Sequence, residues 1–368
     1  MEQSNGNRIG KITFIQAFMV MMLFNGLTSH VIVNPMLLDA SGRDAWITVL
    51  LTGALYVPWC AVLVYIMNKS RGQKLQTWLT RQTNAFVAWL LLIPVCIQLY
   101  LIGIMTILHT TIWTVSNYLP ATPQYVLIIA LVVVCHICAK YGLGTIAVGA
   151  GILLPVVVCL GYFVSIANHT EKDYNLLRPI LENGWSPVID GSVYAGGAFV
   201  ELFLLLLLQH RLKKKARAWQ VMLLGLVLVY ITLGPIVGAI TEFGPKEAAK
   251  QMVSPYEQWR LVKLGNYIEH VDFLSVFQWL AGASVRISLA QFLLADILPF
   301  RTPKSRGRFI TIITLSFLAM AVLISQYNTF YLQMFQYYFP ISLIITLIIT
   351  TTWAVLAWFA KPAKEGTA

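Results

Sequence analysis

Long apolar runs alternate with short polar ones along the whole chain. Stretches free of Asp, Glu, Lys and Arg cover residues 12–38, 45–68, 82–139, 141–170, 218–241 and 309–360. Crossing about 30 Å of hydrocarbon takes roughly 20 apolar residues as helix, so the third and last runs each hold two crossings. Each carries a turn signal in its middle, Pro120-Ala121-Thr122-Pro123 in one and Gln326-Tyr327-Asn328 in the other. Two further apolar segments, about 191–210 and 271–295, hold one charge at depth each, Glu201 and Arg286. The pattern predicts an all-α integral membrane protein in a single polytopic domain, 1–368. Its ten or so transmembrane helices fall near 12–37, 45–67, 86–118, 124–139, 143–166, 191–210, 218–241, 271–296, 309–326 and 338–360.

Five spans precede the 167–190 loop and five follow it. An odd number gives the two halves, 12–166 and 191–360, opposite topology, as a five-plus-five inverted repeat requires. The first span of each half carries helix-breaking residues. Span 1 has Asn25-Gly26-Leu27-Thr28 in mid-membrane and Asn34-Pro35 near one end, and span 6 has Tyr194-Ala195-Gly196-Gly197 before Phe199. A mid-helix glycine costs about 1 kcal/mol relative to alanine. Broken first and sixth helices mark a binding site at the repeat interface on one reading. On the other, the glycines only let helices approach closely.

Composition agrees with the pattern: 58% of the residues are hydrophobic, 11% are charged, and the mean hydropathy is +0.72. Soluble domains carry roughly 25% charged residues. The net charge of +11 lies in short loops, which argues against nucleic acid as a partner. With both termini cytoplasmic, 18 basic residues fall on the inner side and seven on the outer, the positive-inside bias. Cys60, Cys96, Cys135, Cys138 and Cys159 all fall within spans, so no disulfide is expected. Cys135-His136-Ile137-Cys138 has no second ligand pair, and no metal is expected either. The first span is too long for a cleavable signal peptide. With no P-loop, dinucleotide fingerprint, zinc-protease motif or serine elbow, neither an enzyme nor a cofactor is expected.

A charge at the bilayer centre costs about 2.5–3.5 kcal/mol by insertion scales, so Glu201 and Arg286 require an explanation. At 1.5 Å per residue they lie about 12 and 15 Å from the inner ends of their spans, close enough to pair. Asp272, Ser275, Gly282 and Arg286 share one helix face. The pair is either a structural clamp between two helices or part of a switching site. Asn25, Gly26, Gly196 and Gly197 are candidates to present backbone or amide groups to a ligand's carboxylate and ammonium. Thr28, Tyr194, Phe199 and Ser275 would shape the pocket, with Tyr100 and His109 as weaker candidates. In the outer loop 242–269, Ser254-Pro255-Tyr256-Glu257 reads as a capping box that starts a short helix, either a lid or an interfacial segment.

Several signatures point to one family. Pro35 is followed by Ser41-Gly-Arg-Asp-Ala-Trp-Ile-Thr-Val-Leu-Leu51, and Leu177-Arg-Pro-Ile-Leu-Glu-Asn-Gly-Trp-Ser-Pro187 runs into the span bearing Glu201. Ser254-Pro-Tyr-Glu-Gln-Trp-Arg-Leu261, His270-Val-Asp-Phe-Leu274, Trp279 and Arg286-Ile-Ser288 complete the set. Together they resemble the B subunits of spore germinant receptors, across nearly the whole chain. The resemblance implies membership of the amino acid–polyamine–organocation transporter superfamily, with its LeuT-like inverted repeat. It implies a nutrient-sensing role in the inner membrane of the bacterial endospore, with an A-type and a C-type germination receptor subunit as partners and membrane lipid around it. It also suggests that Arg286 stands in for the sodium used by transporters of this fold. Some superfamily relatives carry a lysine in span 5; residues 143–166 carry no charge, so a lysine-based proton mechanism does not transfer. An amino-acid or cation-coupled transporter of the same fold is the alternative.

Overall fold

The computed structural model describes residues 10–263, 270–300, 302–325 and 330–360. The turn expected at Gln326-Tyr327-Asn328 lies outside these, as do Arg8, Arg301, Lys361 and Lys364. Inside hydrocarbon every backbone N–H and C=O must be satisfied within the segment, and the apolar runs accordingly form helices. Among the described residues, nine helical stretches are long and apolar enough to cross a membrane. The first, Phe14–Lys69, has 56 residues; drawn straight it would reach about 84 Å, nearly three bilayer cores. It folds back at Gly42, whose φ of +53° is a left-handed value that a side chain would disfavour. The described residues thus make ten passes.

Pass 1 begins under a capping box: Gln16 N–H donates to Thr13 Oγ1 and Thr13 N–H to Gln16 Oε1. It comprises α1 (Phe14–Leu27), a π-helical turn (Thr28–Ile32) and α2 (Asn34–Ser41). Pass 2 is α3 (Ala45–Lys69). A short amphipathic helix, α4 (Leu75–Gln82), follows in what reads from the sequence as a plain loop, and it buries Leu75, Trp78 and Leu79. Passes 3, 4 and 5 are α5 (Ala85–Asn117), α6 (Gln124–Tyr141) and α7 (Leu143–Ala167). Pass 6 comprises α8 (Ser186–Phe199), a 3-10 turn (Val200–Leu204) and α9 (Leu205–Leu208). Pass 7 is α10 (Ala218–Phe243), followed by the loop helices α11 (Pro245–Ala248) and α12 (Ser254–Leu261). Passes 8, 9 and 10 are α13 (Phe273–Ile297), α14 (Pro303–Ile324) and α15 (Phe330–Phe359).

The interruptions of passes 1 and 6 fall a few residues beyond the glycines that drew attention in the sequence. The α-helix runs unbroken through Asn25-Gly26 and through Gly196-Gly197, and the irregular turns begin at Thr28 and Val200. Pass 9 begins six residues earlier than the charge-free run suggests. Thr302 caps it by accepting from Ser305 N–H, and the Arg306 guanidinium lies 4.6 Å from the Phe292 ring. Basic residues here belong to the first turns of a helix, which a count of charge-free residues excludes. Ser254 also differs from expectation: α12 starts one residue sooner, Val253 is the cap, and the Ser254 hydroxyl has no partner.

Burial sorts the passes. Most of the apolar window of pass 8 is buried (89%), as is that of pass 6 (83%), against 22% for passes 4 and 9. The two passes that carry charge at depth are therefore the two at the centre of the bundle. Glycine lets neighbours close on them: a Cβ at Gly197 would lie 2.3 Å from the Phe339 carbonyl oxygen, and one at Gly196 3.2 Å from Leu343. The Ile12 strand-like segment pairs with the loop after pass 6 through Ile12 N–H to Arg211 O (2.8 Å) and Lys213 N–H to Ile12 O (2.9 Å). This ties the chain's start to the membrane face on which residues 10 and 360 emerge, here called the terminal face.

These contacts predict opposite outcomes for two similar substitutions. Gly197→Ala should destabilise the detergent-solubilised protein by about 1–3 kcal/mol, because the added methyl meets backbone rather than a flexible side chain. Gly144→Ala, where a Cβ meets nothing within 4 Å, should be neutral or stabilising by up to about 1 kcal/mol. Thermal unfolding followed by tryptophan fluorescence checks both.

Candidate functional site

At the centre, Glu201 and Arg286 are 1% and 3% exposed, so whatever partners they have must come from the protein. Glu201 sits on the 3-10 turn of pass 6 and Arg286 near the middle of α13. The guanidinium grips the carboxylate with both ends, Nη1 to Oε2 at 2.7 Å and Nη2 to Oε1 at 2.8 Å. Thr28 Oγ1 donates to Oε2 (3.1 Å) and the Tyr338 hydroxyl to Oε1 (3.0 Å). Arg286 spends its other donors on Thr106 Oγ1 (Nε, 3.0 Å) and the Phe24 carbonyl (Nη1, 3.0 Å), and the Phe24 ring lies 4.6 Å from the guanidinium carbon. Five passes, the first, third, sixth, eighth and tenth, thus meet on one ion pair.

The interrupted first pass explains one of these bonds. In a continuing α-helix the Thr28 N–H would pair with Phe24 O; here it turns to Asn25 O, and the Val33 N–H reaches Thr28 O five residues back. The Phe24 carbonyl meets Arg286 instead. A π turn is a common device for aiming backbone groups at a site. The carboxylate has four donors and the guanidinium four bonds, so the low dielectric strengthens the network.

Next to this network, buried polar groups are left over. Asn25 is fully buried and, among the described residues, neither amide atom has a hydrogen-bond partner; the same holds for the Ser29 hydroxyl, one turn further on. The other candidates separate. Gly26 faces Ile231 of α10, while Gly196 and Gly197 are the contact with pass 10. Phe199 stacks on Tyr56 with 4.9 Å between ring centres, and Tyr194 is half-buried against the core. Tyr100 bonds Ser316, and His109 packs on Trp279 and Phe335. Ser275 donates to the Asp272 carbonyl. Sequence reasoning missed Tyr338, Thr106 and the Phe24 carbonyl: uncharged groups in an apolar run give no signal until a charge is seen to need them.

A cavity of about 480 Å³ opens beside pass 1, walled by α7, α10 and α13 and roofed by α12. Of the candidate residues, Gly26 and Ser275 line it. α12 is held down as a roof: Gln258 Nε2 donates to Pro235 O (2.8 Å), Asn168 Nδ2 to Gln258 O (2.7 Å) and Trp259 Nε1 to Gln278 Oε1 (2.9 Å). Asp272 accepts from the Tyr118 and Tyr256 hydroxyls at 2.9 and 3.5 Å. Burial raises both phenols above their ordinary range, so they stay protonated donors. At the terminal face, Asp296 binds His210 (2.9 Å) and Arg211 (2.5 Å), and Ser70 Oγ donates to Gln209 (2.9 Å). Burial lowers the nearby Lys74 ammonium, against the pull of Asp296. The cavity side is hollow and the terminal side is latched.

The sequence profile of the spore germination protein family (Spore_permease) matches residues 11–330. Spore germination protein XB of Bacillus anthracis is 40% identical over 354 residues, 96% of this chain and 99% of that relative. Spore germination protein A2 of Bacillus subtilis (strain 168) is 21% identical over 249 residues, 66% of this chain and 67% of that one. Two crystal structures of mutants of the Eremococcus coleocola manganese transporter superpose with a TM-score of 0.52 at 11% identity, covering 93% of this chain and 78% of theirs. That likeness is one of fold alone.

The geometry of the pair leads to a stability test. Arg286→Leu leaves an uncompensated buried carboxylate and should destabilise the protein by about 3–5 kcal/mol. Glu201→Leu combined with Arg286→Leu removes both charges and should recover most of that loss in the same thermal assay.

Proposed function

The chain belongs to the spore germination protein family, and from that premise we propose that it is the nutrient-sensing B subunit of a germinant receptor. It binds a small polar nutrient, an amino acid, where passes 1 and 6 are interrupted. The observation that carries this reading is the pair of unpartnered polar side chains, Asn25 and Ser29, in the wall of pass 1. Burying an amide or hydroxyl without a partner costs on the order of 2–7 kcal/mol, which a polar ligand would relieve. An amide offers both a donor and an acceptor, and a hydroxyl does the same. Together they suit a molecule that carries a carboxylate and an ammonium side by side.

The adjacent ion pair supports a switching role. A ligand that bonds Asn25 or Ser29 acts on the π turn that also supplies Thr28 to Glu201 and Phe24 to Arg286, so binding shifts the helix by its differential affinity for two packings. The described part of the chain is membrane helices and short loops, and an output through neighbours follows. We assign those neighbours as an A-type and a C-type germination subunit, the setting as the inner membrane of the endospore, and the terminal face as the spore-core side. The chain itself is read as non-enzymatic. One observation favours the transporter reading: Asp296 with His210 and Arg211 latches the terminal face, a closure of the kind alternating access needs.

Calorimetric titration of the purified chain in lipid nanodiscs with a panel of amino acids tests the binding. One of them should bind, and Asn25→Leu, which is of similar volume but apolar, should abolish that binding while the protein remains inserted and monodisperse. Unaltered binding in Asn25→Leu contradicts the site. Spores that carry this subunit without its partners should release no ions on exposure to the same amino acid, and uptake of that amino acid by proteoliposomes of the lone chain would establish the transporter reading.

A further inference from the structure

The 480 Å³ cavity beside pass 1 is a poor place for a polar ligand, because its polar lining is already engaged. His30 Nδ1 bonds the Ile231 carbonyl (2.9 Å), Gln258 the Pro235 carbonyl, and Gln278 Nε2 the Val157 carbonyl (2.8 Å). Lys172 Nζ donates to Ser165 O (3.0 Å) and Oγ (3.2 Å) and lies 3.7 Å from Glu242, and Trp279 Nε1 donates to Thr110. What faces the space is hydrocarbon and ring: Leu23, Leu27, Val31, Leu154 and Val227 are among the liners.

The cavity is also open sideways. α7 packs on α1, α6 and α13, and α10 packs on α1, α3 and α12, with no packed interface between α7 and α10. Val158, Tyr162 and Tyr230 line the cavity and yet are 41%, 52% and 57% exposed, so they stand at its mouth. All three lie within membrane-spanning helices, and the Tyr162 and Tyr230 hydroxyls meet across the gap, so the opening between α7 and α10 is bridged at that one point. Counted along each helix from its end away from the terminal face, Tyr162 stands about 7 Å in and Tyr230 about 20 Å in, on either side of the ~15 Å that half of the hydrocarbon core spans. The mouth therefore opens into the bilayer.

We propose that this cavity is a lipid site: the acyl chain of a phospholipid from the leaflet opposite the terminal face enters between α7 and α10 and lies against Gly26, Leu27 and Val31. A space of this size within the usual range for ligand pockets, apolar in lining and continuous with hydrocarbon, takes hydrocarbon in preference to a polar solute. The other side of the contacted helix carries Thr28 and Ser29, so the chain bears on the segment that holds the central ion pair. Lipid is then a cofactor-like component of the first pass rather than bulk solvent. This inference does not depend on the nutrient reading.

Reconstitution into phosphatidylglycerol vesicles carrying a diazirine on the acyl chain, followed by photolysis and peptide mapping, tests it. Label is expected on the cavity-facing, buried Leu27 and Trp279 as well as on the outward-facing Ile152 and Ile166. Gly234→Phe places a ring in the cavity from a position where a Cβ meets nothing within 4 Å, and should remove the inner labels while keeping the outer ones. Gly144→Phe, equally unobstructed but away from the cavity, should keep both sets. Label confined to Ile152 and Ile166 in the unaltered protein overturns the proposal, as do inner labels that survive Gly234→Phe. Inner labelling only by a short, water-soluble diazirine alcohol would assign the cavity to a water-borne apolar solute and overturn it as well.

Discussion

A carboxylate and a guanidinium withdrawn from water in the middle of a membrane dominate this molecule. Desolvating two such ions costs several kcal/mol each, and mutual attraction offsets this only when the remaining lone pairs and protons also find partners. The sequence meets that demand from five different passes: Thr28, the Phe24 carbonyl, Thr106, Tyr338 and the two ions themselves. Each donor must sit within hydrogen-bond reach of one point, and that fixes how passes 1, 3, 6, 8 and 10 cross.

The irregular backbone follows from the same demand. In a regular helix the Phe24 carbonyl would already accept the Thr28 N–H; next to the π turn at Thr28–Ile32 that N–H goes to Asn25 O, and the Phe24 carbonyl accepts from Arg286. Glu201 likewise sits on a 3-10 turn, where the chain twists away from the preceding α8. The two arms of the fold then differ. Pass 10 is drawn tight against pass 6 because Gly197 admits the Phe339 backbone and Tyr338 reaches the carboxylate. Pass 5, which contributes nothing to the ion pair, stands away from pass 7 and leaves the cavity between them.

Much of this was legible in the sequence because hydrocarbon allows few solutions. Runs of apolar residues without charge give the passes. Two lone charges at similar depth mark the centre. The precise location of the irregular turns was not legible. Asn25-Gly26 and the Gly196-Gly197 pair suggested breaks, but at Gly197 the missing side chain admits a neighbouring backbone, and α8 continues through it. The defects arise where a charge needs a carbonyl or a hydroxyl, a three-dimensional requirement that leaves no mark on local propensity.

The central claim is that the ion pair holds the interrupted first pass in place. Hydrogen–deuterium exchange of the Arg286→Lys protein in nanodiscs tests it most directly, because lysine keeps the charge but cannot span Glu201, Thr106 and the Phe24 carbonyl together. The account predicts faster exchange in the 24–33 and 199–205 segments, with pass 4, which has no part in the network, unchanged. Exchange in those segments equal to that of the unaltered protein would contradict it.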